Sequence, residues 1–401
     1  MTDQPFPTRR DEDWKYTSVN RIISTEYVEG RGRALTDAEF DGLNLLDGEV
    51  LRFVFVNGEL DEDRSFRGDL PHGLRIHSIQ DTYNSESVRE RIERFLPQPG
   101  EHGSGSAFVS MNRAFNRSGV LIETERNARV ETPVHLVYLT TGGDVPTLAN
   151  PLMLIDAAAG SELTVIEEYR ALDGAETYFN NAVTRGRVGR NAHLHHYRIN
   201  REGDAGYHIN HTKFLQSADS TYSHYNADLG GSIVRNTIEA IHAEGTNITT
   251  NLYGSFVGSD RQHVDTQSFI DHARPHCQSN ELYKGILKDR ARGVFNGKII
   301  VRQDAQKINA FQQNATLVLS DRAQMDAKPQ LEIHADDVRC SHGATIGQLD
   351  ESSVFYLRSR GLNDAQARGL LQYAFVKEVV DGFKHEAVRE YVTGALGEKM
   401  G

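Results

Sequence analysis

The run Thr221-Tyr-Ser-His-Tyr-Asn-Ala-Asp-Leu229 is followed at short intervals by Asn236-Thr-Ile-Glu-Ala-Ile-His242 and Asn247-Ile-Thr-Thr-Asn-Leu-Tyr253. Polar and apolar residues interleave at the period of extended chain, and the apolar runs are too short to show helical periodicity. The punctuation between them is Gly230-Gly231 and Glu244-Gly245-Thr246, not the Asn-Gly pairs that close antiparallel hairpins. Strands that recur quickly, carry polar residues on one face and lack hairpin turns fit coils stacked on one another. The stretch therefore predicts a β-helix rather than a sandwich or barrel.

The same texture extends on both sides. Short apolar runs such as Val134-His-Leu-Val-Tyr-Leu139, Leu152-Met-Leu-Ile155, Leu163-Thr-Val-Ile166, Leu194-His-His-Tyr-Arg-Ile199 and Leu317-Val318-Leu319 alternate with Gly, Asn and Asp. A mainly β body is expected over 101–347, between an N-terminal mixed α/β region over 1–100 and a C-terminal helical domain over 348–401. In the first region, Thr36 with Glu39 makes a capping box for a short helix to Leu46. Val50–Val56 ahead of Asn57-Gly58 reads as a strand entering a hairpin, and Ser85–Phe95 reads as a helix. Pro97-Gln-Pro-Gly-Glu-His-Gly-Ser-Gly-Ser106 reads as a linker. At the other end, Asp350 caps a helix that Gly361 stops, Asn363 with Gln366 boxes a second, and a third runs from about His385 to Leu396.

Composition narrows the function. A net charge of −12 over 401 residues argues against sequence-independent nucleic-acid binding, which needs a basic face. No stretch approaches the roughly 20 apolar residues of a membrane span, and the N-terminus shows no export signal. Cys277 and Cys340 are too few for a disulfide framework, so reduced thiols and a cytoplasmic setting are expected. There is no Walker loop among Gly285, Gly293 and Gly297 and no GxSxG elbow, so neither ATPase nor serine-hydrolase chemistry is expected of this chain.

Two groups of residues carry candidate chemistry. Alternation puts His193 and His195 on one strand face and His196 on the other. A metal shared with His208, His211 or His224 would make a histidine-rich metalloenzyme, and a solenoid groove could serve a carbohydrate-active enzyme. A ladder of hydrogen-bonded histidines is the favoured reading, because no metal-ligand spacing is present. Cys340 and His342, in Ala335-Asp-Asp-Val-Arg-Cys-Ser-His-Gly-Ala-Thr345, are two residues apart in extended chain and so share a face. Thiolate and imidazole both suit iron, but two ligands make only half a site. A buried cysteine beside a hydrogen-bonding histidine is the other reading.

The Ala335–Thr345 motif resembles that of the SufD family of the SUF iron–sulfur assembly system. So do Tyr283-Lys-Gly-Ile-Leu287, Phe295-Asn-Gly-Lys-Ile-Ile-Val301, Lys328-Pro-Gln-Leu-Glu-Ile333, Gly347-Gln-Leu-Asp350 and Phe355-Tyr-Leu-Arg-Ser-Arg-Gly361. The N-terminal Pro7-Thr-Arg-Arg-Asp-Glu-Asp-Trp-Lys-Tyr-Thr17 and His263-x-Asp265-x-Gln267 match more weakly. The resemblance implies a right-handed parallel β-helix and a non-catalytic scaffold subunit. It further implies a complex with a SufB-like paralog and a SufC-like ABC-type ATPase, with homodimers of the isolated chain also compatible. His342 and Cys340 would then be candidate iron ligands and candidate ligands of a transient iron–sulfur cluster shared with the paralog. Phe355, Tyr356, Arg358, Arg360, Tyr373 and Phe375 would lie in the region that docks the ATPase. Reduced flavin is implied for the complex, at no particular residue.

Overall fold

The computed structural model describes residues 5–79, 86–96, 106–115, 119–143, 145–172, 174–175 and 177–400. The expected linker falls outside the described residues except for Ser106. The body is a parallel β-solenoid of about eight turns, made of two long sheets. One sheet stacks Leu152–Ala157, Tyr178–Val188, Gly206–Gln216, Ile233–His242, His263–His272 and Arg292–Val301. The other stacks Val134–Thr140, Glu162–Ala171, His193–Arg201, Thr221–Asp228, Thr249–Gly258, Gln278–Leu287, Ile308–Val318 and Val338–Gly347. Within each stack every neighbouring pair is parallel and in register: Thr221 beside Thr249, Thr249 beside Gln278. Each coil uses about 30 residues, the scale of one solenoid repeat.

The corners explain the missing hairpin signal. Asn191, Asp219, Asn247, His276 and Lys307 all have positive φ, a conformation that Asn and Asp tolerate best among residues with a Cβ. Their amides donate to the next coil, Asn191 to Ala218, Asp219 to Thr246, Asn247 to His276 and Lys307 to Asp337. A corner thus stacks on a corner, and its backbone groups are satisfied between coils rather than within a turn.

The strands of the N-terminal region join the same sheets. Leu51–Val56 lies parallel to Val134–Thr140, and Leu74–Ser78 lies antiparallel to Gly119–Thr124. The Asn57-Gly58 turn has φ of 49° and 90° and returns the chain as Glu59–Asp61, as a two-residue hairpin requires. The Thr36 capping box is present, although its helix is short, Asp37–Asp41, and the expected helix after Ser85 spans Glu86–Glu93.

Inside the coil, Leu194, Phe214, Tyr222, Leu252, Phe256, Phe295 and Ile299 belong to one continuous core. Both outer faces are covered in part. The helices Asp364–Val380 and Glu386–Met400, with Phe383 in the turn between them, bury Val376, Val379, Val388 and Val392 against Tyr197, Tyr225 and Ile199 of the second sheet. On the first sheet, Val19, Ile22 and Phe108 pack on Phe179, Ile209 and Ile233, with Trp14 at the margin. Trp14 also lies 3.7 Å beneath the Arg235 guanidinium, and Thr17 is bonded to Asp265 and His263, so the N-terminal segment straps across the coil.

Candidate functional site at the open coil edge

The last strand of the second sheet, Val338–Gly347, pairs with Ile308–Val318 on one side only among the described residues. Residues Ser341–Ile346 are all exposed, and Ile346 is 51% exposed despite its apolar side chain. An unpaired edge of this length presents a row of backbone donors and acceptors that another chain can extend. Alternation turns Val338, Cys340, His342, Ala344 and Ile346 to one face, above Ile308, Ala310, Gln312, Asn314 and Thr316 of the preceding coil.

Cys340 is half-buried, packed with Val338 against the end of the core and seated over Ala310, whose methyl leaves room for the sulfur. Partial burial raises its thiol above the usual range, so the free residue is held as the neutral thiol until a cation draws off the proton. His342 is exposed beside it. Asp337 is turned back to pair with Lys307, so it does not join the two. Cys277, by contrast, is fully buried, with its Sγ donating to the Pro275 carbonyl at 3.3 Å, and burial raises its thiol too. It is a structural cysteine.

Behind His342 lies a polar row. His342 is in register with Gln312, and Gln312 with Glu281. The Gln312 amide Nε2 donates to Glu281 Oε2 at 2.6 Å. Burial pushes the Glu281 carboxyl up to about 7, opposed by the hydrogen bond from Gln312. Gly297 faces them from the other sheet, where a Cβ would stand 2.2 Å from Gln312 Nε2. The glycine is therefore needed for the Gln312 side chain to fold inward.

The histidines upstream have another role. His193 is exposed at a strand end, and His195 on the same face stacks near Tyr225 with ring centroids 6.3 Å apart. His196 and His224 point into the coil. The candidate trio of His193, His195 and His224 is thus split between two faces, and among the described residues no group of three or more His, Cys, Asp or Glu could hold a metal ion. The interior groups bond to one another. Glu167 bonds His196 Nε2 at 3.0 Å and accepts from the Tyr169 hydroxyl, while His196 Nδ1 meets the Tyr222 hydroxyl. Arg198 donates to Asp228 and to His208 Nε2. Because a guanidinium only donates, His208 carries its proton on Nδ1 and donates it in a hydrogen bond to Glu202 Oε1 at 3.0 Å. His211 bonds Glu239 at 3.1 Å. His224, fully buried beside His196, is driven well below the usual imidazole range by desolvation. Glu167, Glu202 and Asp228 bond other protein groups within the solenoid, whereas His211 and Glu239 lie on the outer face of the first sheet, where Glu239 lines a cleft with Arg235, Thr237 and Lys298.

With that geometry in hand, two family models account for nearly the whole chain. The SufBD protein N-terminal region matches residues 1–136, and the SUF system FeS cluster assembly SufBD core domain matches 138–375. The chain belongs to the SufBD family. It is 34% identical to an iron–sulfur cluster assembly SufBD family protein of Synechocystis, across 94% of this chain and 83% of that one. It is 31% identical to iron–sulfur cluster assembly protein SufD of Escherichia coli, across 98% and 89%, and 27% identical to SufD of Bacillus subtilis, across 99% and 91%.

As a SufBD-family protein the chain takes part in iron–sulfur cluster assembly, and its C-terminal helices gain interest beyond packing. Asp350 caps Glu351–Ser359 by accepting from Ser352 and Ser353, Gly361 follows at φ 101°, and the Asn363–Gln366 capping box opens Asp364–Val380. Among the residues singled out there, Phe355 is 73% exposed, with Tyr356, Arg358 and Arg360 exposed around it. Tyr373 is half-buried. Phe375 is turned toward the solenoid, its ring 4.6 Å from the Lys284 ammonium. No described helix is long and apolar enough to cross a membrane. The sequence by itself gives Glu281 and Gln312 no role at the site, although Gln312-x-Asn314 is part of the family resemblance. Their signal was the recurrence of polar residues at intervals of about 30 ahead of His342, visible only once the coil length is known.

Proposed function

We propose that this chain is a non-catalytic scaffold subunit whose open edge, Val338–Gly347, meets a SufB-like paralog and presents His342 and Cys340 to a nascent iron–sulfur cluster. The observation that carries the reading is the exposed, one-sided strand with an imidazole and a thiol on a single face. Two ligands from one edge leave room for a partner chain to supply the rest, and imidazole with thiolate suits iron. His342 is the principal ligand; Cys340, held neutral by partial burial, tunes or guards the site. The exposed Phe355, Tyr356, Arg358 and Arg360 make the C-terminal helices the dock for a SufC-like ABC-type ATPase, while Phe375 fastens that region to the solenoid. Its nucleotide cycle would move those helices against the coil. The setting is the cytoplasm, and reduced flavin on the assembled complex is assigned to no residue of this chain. The test is His342→Ala in a complex reconstituted with both partners. Cluster assembly should be lost while the complex still forms. Full assembly by the variant would leave the chain as an adaptor that contributes no ligand.

A further inference from the structure

The row Glu281–Gln312–His342 crosses three successive coils at one height and ends on the open edge. Its middle member is the informative one. Gln312 is buried, and its amide is oriented by the Nε2–H donated to Glu281 Oε2 at 2.6 Å, which turns its carbonyl oxygen away from that carboxylate. That oxygen, Gln312 Oε1, is buried and accepts no hydrogen bond among the described residues. A buried carbonyl without a donor is unfavourable, and the register partner of Gln312 on the open edge is a residue whose ring carries N–H donors. His342 stands directly beside Gln312 in the parallel register, one strand spacing away, on the same face and exposed enough to turn. Gly297 keeps the opposite wall open where any Cβ would strike the Gln312 amide.

We infer that Gln312 is a positioning residue for His342: its side-chain carbonyl accepts the N–H of one ring nitrogen, and the other nitrogen's lone pair is thereby aimed out of the coil edge. Glu281 anchors the amide from behind and sets which end of it faces His342. An imidazole that ligates a metal through one nitrogen commonly donates its other N–H to a carbonyl or carboxylate, which fixes both tautomer and ring direction. Gln312 supplies that acceptor from the neighbouring coil. The purpose of this arrangement rests on His342 being an iron ligand; its geometry does not.

The experiment separates the two. The full-length chain, without partners or iron, is labelled with ring-15N histidine, and the His342 signals are identified by their loss in His342→Ala. At pH 8 the wild-type ring should occupy a single tautomer, with one protonated and one bare nitrogen. Gln312→Leu should return it to a rapidly exchanging mixture, whereas Glu281→Gln, whose amide oxygen still accepts the Gln312 Nε2–H, should keep the single form. In the reconstituted complex, Gln312→Leu should slow cluster assembly about tenfold or more, the size of effect seen when an acceptor behind a metal-binding histidine is removed, with Glu281→Gln retaining most of the activity. A mixed-tautomer His342 in the wild type overturns the inference by itself, even if Gln312→Leu does not fold. So does an unchanged His342 signal in a folded Gln312→Leu. A single, Gln312-dependent tautomer combined with full activity of His342→Ala would instead leave the hydrogen bond in place and sink the ligand reading.

Discussion

Asp228 holds the middle of the coil together, and its removal should be among the most costly single changes in the chain. Its carboxylate lies inside the solenoid, accepting from Arg198 at 2.5 Å, Asn226 at 2.6 Å and Asn236 at 2.8 Å. Arg198 is itself fully buried, and its other amino group donates to His208 Nε2. Asp228→Ala leaves a guanidinium in the core without its counter-charge, a situation that costs about 3–5 kcal/mol, and strips an acceptor from two buried amides besides. Against a typical total of about 5–15 kcal/mol, that is a large share. Asp228→Asn keeps the volume and one acceptor oxygen and should fall between the variant and the wild type. The double change Arg198→Met with Asp228→Leu should lose less than Asp228→Ala alone, because neither charge is then stranded. Urea unfolding followed by circular dichroism gives the comparison. A loss below about 1 kcal/mol for Asp228→Ala, with an unchanged m-value, would refute the view that this pair is a closed, mutually dependent unit.

Acid should weaken the protein through its interior histidines. Burial lowers His272 from its ordinary value to about 4, with Ser279 bonded to Nε2 at 2.9 Å and His242 4.4 Å away edge-on. The unfolded chain binds this proton more readily than the folded one between about pH 6.5 and 4, so stability present above that window is lost as pH falls through it. At pH 5 the share of His272 is about 2 kcal/mol, and His272→Gln should flatten the pH dependence of the urea midpoint; an equal slope in the two proteins would contradict this. The N-terminal strap has its own reporter, since Trp14 is the sole tryptophan. Thr17→Val removes the buried hydroxyl bonded to Asp265 and to His263 at 2.8 Å, at a cost of about 1–3 kcal/mol. Trp14 emission should then shift to the red, with easier iodide quenching, below the denaturant concentration that unfolds the coil. Identical quenching in variant and wild type would show that the strap does not depend on this contact.

Much of the architecture was legible because it depends on local rules. Asn57-Gly58, the Thr36–Glu39 and Asn363–Gln366 boxes and the Asp350 cap each satisfy backbone groups within a few residues, so their residue types declare them. The expected helix to Leu46 ends instead at Asp41, where Gly42 takes over and the following Leu43 and Leu46 are drawn into different cores. The histidine ladder was readable in part. Alternation separated His195 from His196, but nothing local said that His196 would face Glu167 of the preceding coil or that Arg198 would meet His208 on the opposite sheet.

The open edge shows the same division. From the residues alone, Cys340 and His342 share one face of an extended segment because side chains alternate along any strand, and the motif around them carries the family resemblance. Whether that face would be buried or free could not be read there, since exposure is decided by what lies on the far side of the strand. The tertiary structure makes Val338–Gly347 the last strand of its sheet, leaves it exposed, and sets Gln312 and Glu281 in line behind His342. Covalent order fixes which residues alternate; only the stacking of coils about 30 residues apart decides which of them become neighbours.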